Sequence, residues 1–323
     1  LSLEGSAPIE FNSKVNGKIT ISASNVTLTG LYLTNPGQAN VILIDGSPQP
    51  SNISIDNNKI EEVGSDSLDK NVHAIYLHRG PDNVTITNNT LSDLKSGSKS
   101  VSGIGVLDTA STDSSTGLTI ENNTFSDIGS TGGGAYGVIL NNAAGTDGAQ
   151  IKNNSFSTLN GSWTHAIGLE GPTPNAVVQG NDFAGLTYIT YESVAIFFED
   201  NPDGGTVTVA ENLFNGSDYF GVAIHPKPLP DGGGTQYTYE IDATNNWWGT
   251  ACGPSSTGID VGSQVGYSPW WTSTDGTSTA SEGSDGEIVI PAGATTAEQQ
   301  AIMNCATNKT ISYAGAPQKG GVE

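Results

Sequence analysis

The chain has 323 residues, 35% of them hydrophobic, so it is long enough to bury a sizeable core. Its 33 acidic and 11 basic residues give a formal net charge of −22, and a surface of this sign repels nucleic acid and anionic lipid. No apolar run approaches the roughly 18 residues that a membrane-spanning helix needs. We therefore expect neither a nucleic-acid partner nor a membrane span.

The first predicted element is a coil of strands in residues 1–34. Its segment "GKITISASNVTLTGLYL" alternates apolar and polar residues, and a period of two is typical of half-buried strands. Leu31 stands where the later copies of this pattern have asparagine.

After this coil, one segment recurs along the chain, as in "VTITNNTL" (84–91), "LTIENNTF" (118–125) and "VTVAENLF" (207–214). One asparagine of each copy falls in a single column: Asn58, Asn89, Asn123, Asn154, Asn181, Asn212 and Asn246. Two positions later comes a large apolar residue: Ile60, Leu91, Phe125, Phe156, Phe183, Phe214 and Trp248. A period of roughly 20–50 residues indicates a stacked-repeat architecture.

The asparagine column has a physical explanation in such a stack. If successive copies lie as parallel strands about 4.8 Å apart, each asparagine amide can donate to the asparagine carbonyl of the next copy. Asparagine also tolerates left-handed backbone angles at a bend. We therefore interpret the column as an architectural ladder rather than as a catalytic site.

The repeat resembles a known family. Alternating strand, asparagine at an inward turn and bulky apolar residue, repeated through most of residues 20–270, is similar to the right-handed parallel β-helix proteins of the pectate-lyase-like superfamily. The segments "NNWWGTACGP" (245–254) and "VGYSPWW" (265–271) resemble the last coil of many exported members. The resemblance covers roughly four fifths of the chain and implies an all-β solenoid of about eight to nine coils in residues 1–271. It implies no particular activity, because this scaffold carries enzymes, phage spikes, adhesins and plain surface proteins.

The last predicted elements follow the coils. Residues 272–286 lack large apolar groups and are typical of a flexible linker. Residues 287–323 predict a strand, a short helix with a Thr295/Glu298 capping box and another strand, as a cap or an assembly element. The two cysteines, Cys252 and Cys305, are either one disulfide that ties this tail to the coils or two unpaired thiols.

Two features favour an exported protein, extracellular or on the cell surface. The chain starts at Leu1 rather than Met, so a leader could have been removed. Nine asparagines begin N-x-S/T triplets, which leaves glycosylation open: Asn25, Asn52, Asn83, Asn88, Asn122, Asn153, Asn160, Asn215 and Asn308.

Each period also holds a second short strand, as in "AIYLH" (74–78), "AIGLE" (166–170) and "AIFFE" (195–199). Residues that close this strand on neighbouring coils should stand side by side, which would place Glu170, Glu199 and His225 in one row. Two carboxylates about 5 Å apart have the spacing of a retaining glycosidase pair or of a cation site. The alternative is that these are solvated charges at strand ends.

Other residues near the second strand are candidates for binding. His73, Tyr136 and His165 align on one face, where imidazole and aromatic groups suit contact with a sugar, and His78 and Arg79 lie at a strand end. Asp200 and Asp203 in "EDNPDGG" (199–205) are candidate calcium ligands, although the same residues are ordinary turn formers. The chain requires no other cofactor by this interpretation.

Two functions from different classes remain. The first is a non-catalytic surface β-helix, serving as a rod, filament subunit or adhesin, whose partners would be surface glycans or copies of itself through its strand edges. The second is a polysaccharide hydrolase or lyase that uses Glu170 and Glu199. The single arginine, Arg79, argues against an acidic-polysaccharide lyase, since such enzymes of the superfamily usually employ Arg or Lys. The non-catalytic interpretation is the one we favour from the sequence.

Overall fold

The computed structural model describes residues 2–4, 14–108, 114–142, 144–186, 193–199, 206–215, 220–224, 227–228, 235–236, 241–254, 265–282, 287–305 and 310–314. Their main body is a parallel β-solenoid made of three sheets, in which hydrogen-bonded neighbours come from successive turns of the chain. The predicted fold, a parallel β-helix, is confirmed.

The three sheets run side by side along the solenoid. Sheet A contains the strands Ser2–Glu4, Val26–Thr29, Ser51–Asp56, Asp82–Thr87, Thr119–Glu121, Gln150–Lys152, Val177–Gln179, Thr208–Ala210, Ile241–Asp242 and Val265–Gly266. Sheet B contains Val15–Asn16, Tyr32–Pro36, Lys59–Ser65, Thr90–Ser96, Thr124–Ser130, Ser155–Ser157, Leu159–Asn160 and Asp182–Gly185. Sheet C contains Ile19–Ile21, Asn40–Ile44, Val72–Leu77, Val101–Asp108, Ala135–Asn142, Thr164–Leu169, Ser193–Phe198 and Phe220–Ile224.

Six consecutive turns, from strand Val26–Thr29 to strand Ser193–Phe198, contribute to all three sheets, and the strands Ser2–Glu4, Val15–Asn16 and Ile19–Ile21 add one more turn before them. The turns that contribute to all three sheets among the described residues are thus slightly fewer than the eight to nine coils predicted. After strand Ser193–Phe198, the described chain joins sheet B only through isolated bridges at Leu213 and Trp247. In the described residues, the last turns are therefore less regular than the sequence pattern suggests.

The asparagine ladder lies between sheets A and B, with all seven side chains buried. The Oδ1 atom of Asn154 accepts hydrogen bonds from the backbone N–H and the side-chain amide of Asn123, at 2.9 and 3.0 Å. The Asn123 amide also donates to the carbonyl of Ile86, one turn away, at 2.9 Å. The ladder thus satisfies backbone groups at the bend that would otherwise be buried without partners.

One detail of the bend differs from the sequence expectation. The left-handed residue is the one before the ladder asparagine, not the ladder asparagine itself. This second column has φ between 52° and 68° and consists of Asn57, Asn88, Asn122, Asn153, Gly180, Glu211 and Asn245. Its predominance of asparagine and glycine follows from their tolerance of this conformation.

The core contains a stack of aromatic rings on the apolar column. Ring centroids are 4.8 Å apart for Phe125 and Phe156, 5.2 Å for Phe156 and Phe183, and 4.5 Å for Phe214 and Trp248. These distances between ring centroids are typical of favourable aromatic contacts. The stack fixes the spacing of the turns from inside, as the ladder does at the bend.

The C-terminal region forms a small sheet of Trp270–Trp271, Thr279–Glu282, Ile288–Ile290 and Ile311–Tyr313, with one helix, Thr296–Cys305. The predicted strand, helix and strand are confirmed. Thr279–Glu282 is a strand within the segment interpreted as a linker. Further two-stranded pairs are Ser115–Thr116 with Thr146–Asp147, and Lys227–Pro228 with Thr235–Gln236.

The C-terminal helix begins with the capping box, in which the Thr295 backbone N–H donates to Glu298 at 2.6 Å. Ile302 on this helix and Ile290 belong to the same buried cluster as Trp248, so the tail packs against the solenoid. Cys252 is disulfide-bonded; the side chain of Cys305, the other cysteine of the chain, lies outside the described part. Among the described residues, no helix has the length and apolar character needed to cross a membrane.

Candidate functional site

The outer face of sheet C differs from the outer faces of the other two sheets. Strand Ser51–Asp56 of sheet A alternates buried and partly exposed residues, whereas every residue of strand Thr164–Leu169 in sheet C is buried. Outward positions of sheet C carry histidine, tyrosine and other large side chains that cover one another. The large outward side chains of sheet C therefore form a recess on this face.

The register of sheet C arranges these outward side chains in rows across the turns. One row contains Asn40, His73, Ser102, Tyr136 and His165. The next outward row contains Leu43, Tyr76, Gly105, Ile139, Gly168 and Phe197. A third row follows at the strand ends with Asp45, His78, Leu107, Asn141, Glu170 and Glu199. Parallel in-register pairing is what brings residues about 30 positions apart into contact.

A groove of about 610 Å³ runs across these rows. It is lined by Asn40, Asn71, His73, Tyr76, His78, Ser100, Val101, Ser102, Leu107, Tyr136, Ile139, Asn141 and Glu170. These residues belong to five successive turns, which corresponds to a length of about 19 Å at the usual strand spacing. The volume lies within the range of ligand-binding sites, about 300–1,000 Å³.

The floor of the groove contains a buried histidine and serine pair. His73 is 5% exposed and Ser102 is 1% exposed, and the His73 Nδ1 atom lies 2.7 Å from the Ser102 hydroxyl. Burial lowers the pKa of His73 to about 4, so the imidazole is neutral at pH 7. Gly105 leaves space beside the pair, because a Cβ at that position would lie 3.0 Å from His73 Nδ1.

One wall of the groove is formed by Tyr76 and His78. The Tyr76 ring lies 4.9 Å from the His73 ring and 5.5 Å from the His78 ring, and its hydroxyl donates to the carbonyl of Leu107 at 3.1 Å. His78 Nδ1 lies 3.1 Å from a carboxylate oxygen of Asp45. The wall thus presents an aromatic surface whose orientation is fixed at both ends.

The opposite end of the groove is built around the Glu170 carboxylate, whose side chain is 11% exposed. The amide of Asn141 donates to Glu170 Oε2 at 3.1 Å, and the Tyr136 hydroxyl also donates to this carboxylate. The indole N–H of Trp163 donates to the Tyr136 hydroxyl at 2.7 Å. Burial, followed by the nearby negative charge of Glu170, raises the pKa of Tyr136 well above its usual value.

His165 supports this end of the groove from behind. It is buried, its ring packs edge-on to Tyr136 at 5.4 Å, and it stacks on Phe197 at 4.0 Å. Its Nδ1 atom lies 3.7 Å from Glu170 Oε1. His165 therefore positions Tyr136 and Glu170 rather than lining the groove.

The remaining sequence candidates are placed as follows. Arg79 is exposed, with φ of 62°, and does not line the groove. Glu170 and Glu199 come directly after the paired residues Leu169 and Phe198, yet Glu199 is exposed and is not a lining residue. Thus only Glu170 of the two carboxylates faces the groove.

Three candidates, His225, Asp200 and Asp203, lie outside the described residues. The candidate catalytic row beyond Glu199 and the candidate calcium loop therefore remain predictions. Within the part of the chain that the structure describes, no group of three or more His, Cys, Asp or Glu side chains is arranged to hold a metal ion.

Several groove residues were missed by sequence reasoning, among them Asn40, Asn71, Tyr76 and Ser102. The signal was available for three of them, because the same alignment that joins His73 to Tyr136 also joins Asn40, Tyr76 and Ser102 to the turns beside them. The alignment shows which positions point outward, but it does not show which of them lie in a recess.

A second recess of about 510 Å³ lies at the end of sheet B. Its lining includes the side chains of Asp66, Asp127, Ser130 and Asn160, together with Lys95. Lys95 forms an ion pair with Asp93 at 2.6 Å, so its charge is already compensated. None of the described residues that line this recess is aromatic, whereas Tyr76 and Tyr136 line the groove on sheet C.

Comparison with known proteins adds little to this geometry. No protein-family model and no curated protein matches the chain. Among solved structures, the chain is similar to a double mutant of the tailspike protein of E. coli bacteriophage HK620, with 12% sequence identity and a TM-score of 0.45. The similarity covers 69% of this chain and 38% of the tailspike chain. We draw no conclusion about fold or function from this similarity.

Proposed function

We propose that this protein is an exported, non-catalytic surface β-helix whose sheet C groove binds neutral glycans. The observation that carries the proposal is the groove itself, which extends across five turns and is lined by aromatic rings and neutral hydrogen-bonding groups. An elongated recess of this kind suits an oligosaccharide better than a compact metabolite, since its length is about 19 Å.

The chemistry of the lining supports a sugar ligand. Asn40, Asn71, Asn141, Ser100 and Ser102 supply amide and hydroxyl groups that can both donate and accept hydrogen bonds. Tyr76 and Tyr136 supply apolar ring surface beside them. Sugars combine hydroxyl groups with apolar C–H faces, so they match both parts of this lining.

The charges restrict the glycan to a neutral one. None of the described residues that line the groove is Lys or Arg, and the Glu170 carboxylate closes one end. His73 carries no charge at neutral pH. A chain with a net charge of −22 also repels polyuronates and sulfated glycans at longer range.

The arrangement around Glu170 weighs against a glycosidase. A retaining enzyme needs two carboxyl groups about 5 Å apart on either side of the scissile bond, whereas Glu199 does not line the groove. Glu170 is held as a hydrogen-bond acceptor by Asn141 and Tyr136. Reducing-end assays on wild type, Glu170→Gln and Glu199→Gln should all give no turnover; hydrolysis that disappears in either variant would establish the enzymatic alternative.

Binding is tested on an array of neutral, uronate-containing and sialylated oligosaccharides, followed by calorimetry with the best neutral ligand. We expect Tyr76→Ala to lower the affinity at least about tenfold, since a central aromatic contact is lost. Tyr32→Ala is the matched control, because Tyr32 is a partly buried tyrosine on sheet B, packed against Lys59. The proposal is wrong if no neutral glycan binds, or if the two variants bind equally.

A further inference from the structure

Trp163 stands out among the tryptophans of the chain. All five are described; Trp248 and Trp270 are buried and Trp247 and Trp271 are partly buried, while Trp163 is 37% exposed. It comes directly before the sheet C strand Thr164–Leu169. A large exposed aromatic side chain at the start of an otherwise buried strand requires an explanation.

The register places Trp163 in line with residues of the groove. The N–H groups of Val72, Val101 and Ala135 donate to the carbonyls of Ser100, Gly134 and Trp163, each at 2.9 Å. The residues that precede the sheet C strands therefore form one further row: Asn71, Ser100, Gly134 and Trp163. Asn71 and Ser100 already line the groove, so Trp163 lies at the end of that same row.

Two contacts fix the indole in place. Its N–H donates to the hydroxyl of Tyr136, a lining residue, at 2.7 Å. Its five-membered ring packs against Gly134, where a Cβ atom would clash with the indole nitrogen. The ring is thus immobilised by its neighbours on one edge while over a third of its surface remains exposed, and fixing it in advance reduces the entropy lost on binding.

We propose that Trp163 is an aromatic platform that extends the sheet C groove and stacks against one sugar ring of a neutral oligosaccharide. The inference depends on the proposed function and adds to it a residue that sets the direction and length of the bound chain. The oligosaccharide would pass from the Asn71 and Ser100 side of the groove to the exposed part of the Trp163 indole. The absence of a side chain at Gly134 gives the indole the space in which it lies.

The test compares Trp163→Ala with Trp271→Ala, using the neutral oligosaccharide that binds best on the array. Trp271 is a suitable control because it also packs against a glycine, Gly276, but lies in the C-terminal sheet. Calorimetry should show an affinity about five- to tenfold lower for Trp163→Ala, with no change for Trp271→Ala. Thermal unfolding of both variants checks that the fold is retained.

A second measurement reports on Trp163 directly. Acrylamide quenching of tryptophan fluorescence in the wild-type protein should fall when the oligosaccharide is added, and this fall should disappear in a folded Trp163→Phe variant. If wild type binds a neutral glycan while Trp163→Ala binds equally well, the platform is refuted and the glycan-binding proposal stands. If wild type binds none, both are refuted.

Discussion

Gly137 lies directly against the ring of Phe156, the residue that extends the aromatic stack on the next turn. A Cβ atom on Gly137 would come 2.5 Å from Cε1 of Phe156 and 2.6 Å from the carbonyl oxygen of Ala166. Gly103 has the same relationship to Phe125. The sheet C strands therefore carry small residues where the aromatic column of the core needs room.

We predict that Gly137→Ala lowers the free energy of unfolding by about 1–3 kcal/mol, because the added methyl overpacks a stack that is confined on both sides. Urea denaturation measures the change. Gly129→Ala is the control, since a Cβ there meets only the Asn160 carbonyl at an ordinary 3.6 Å. Equal stability of the two variants would contradict this account of the core.

A second prediction about stability concerns Asn154 in the asparagine ladder. Asn154→Ala removes an acceptor of two hydrogen bonds from Asn123 and a donor to the carbonyl of Ile120. Buried groups without partners each cost about 1–3 kcal/mol, so we expect a loss of about 3 kcal/mol or more in denaturant titrations.

Asn153→Gly serves as the neighbouring control for the ladder. Asn153 is exposed with φ of 53°. On the next turn the equivalent position is already a glycine, Gly180. The change should stay within about 0.5 kcal/mol. A ladder variant that is as mild as this control would show that the column is dispensable.

The sequence predicted the fold because the architecture repeats itself. Asn123 and Phe125 recur at the same offset in turn after turn, so a single alignment fixes both the bend and the core column. The register also placed His73, Tyr136 and His165 in one row correctly. Repetition turns a weak local signal into a strong one.

The groove could not be predicted in the same way, because it arises where the repeat is broken. Gly134 and Gly105 matter through the side chains they lack, and their importance depends on the positions of Trp163 and His73 in three dimensions. Glu170 and Glu199 look equivalent in the alignment, yet the Glu170 side chain is only 11% exposed and accepts a hydrogen bond from Asn141, whereas Glu199 is exposed. The burial of an outward side chain depends on the side chains around it and not on its position in the repeat.

Burial of His73 makes stability depend on pH. Its pKa is about 4 in the folded protein and about 6.5 in an unfolded chain. Between these values the unfolded chain binds a proton that the folded protein does not bind, so stability falls as the pH drops from about 6.5 to about 4 and this contribution levels off below.

The full effect of His73 corresponds to about 3 kcal/mol. We expect His73→Asn to lose less stability than wild type over this pH window, as measured by urea denaturation at each pH. Comparing the two proteins cancels the carboxylates that titrate in both. Parallel stability curves would mean that His73 is not the source of the dependence.

Binding of a neutral glycan should be insensitive to salt. The groove is lined by no Lys or Arg among the described residues, so no ion pair with the ligand is available for screening. Calorimetry between about 50 mM and about 500 mM NaCl should give affinities within about twofold of each other. A steep decrease with salt would indicate an ionic ligand, and polygalacturonate should fail to compete at any salt concentration.

Gly134 offers a way to disturb the groove without removing any group that could touch the ligand. Its backbone does not have a positive φ, so alanine is conformationally allowed, but the new methyl must displace the Trp163 indole. We expect Gly134→Ala to weaken neutral-glycan binding by about the same factor as Trp163→Ala. The indole also loses its hydrogen bond to Tyr136, so the fluorescence of Trp163 should become more accessible to acrylamide. Gly129→Ala again supplies the control, and a Gly134→Ala variant that binds like wild type would show that the position of the indole is unimportant.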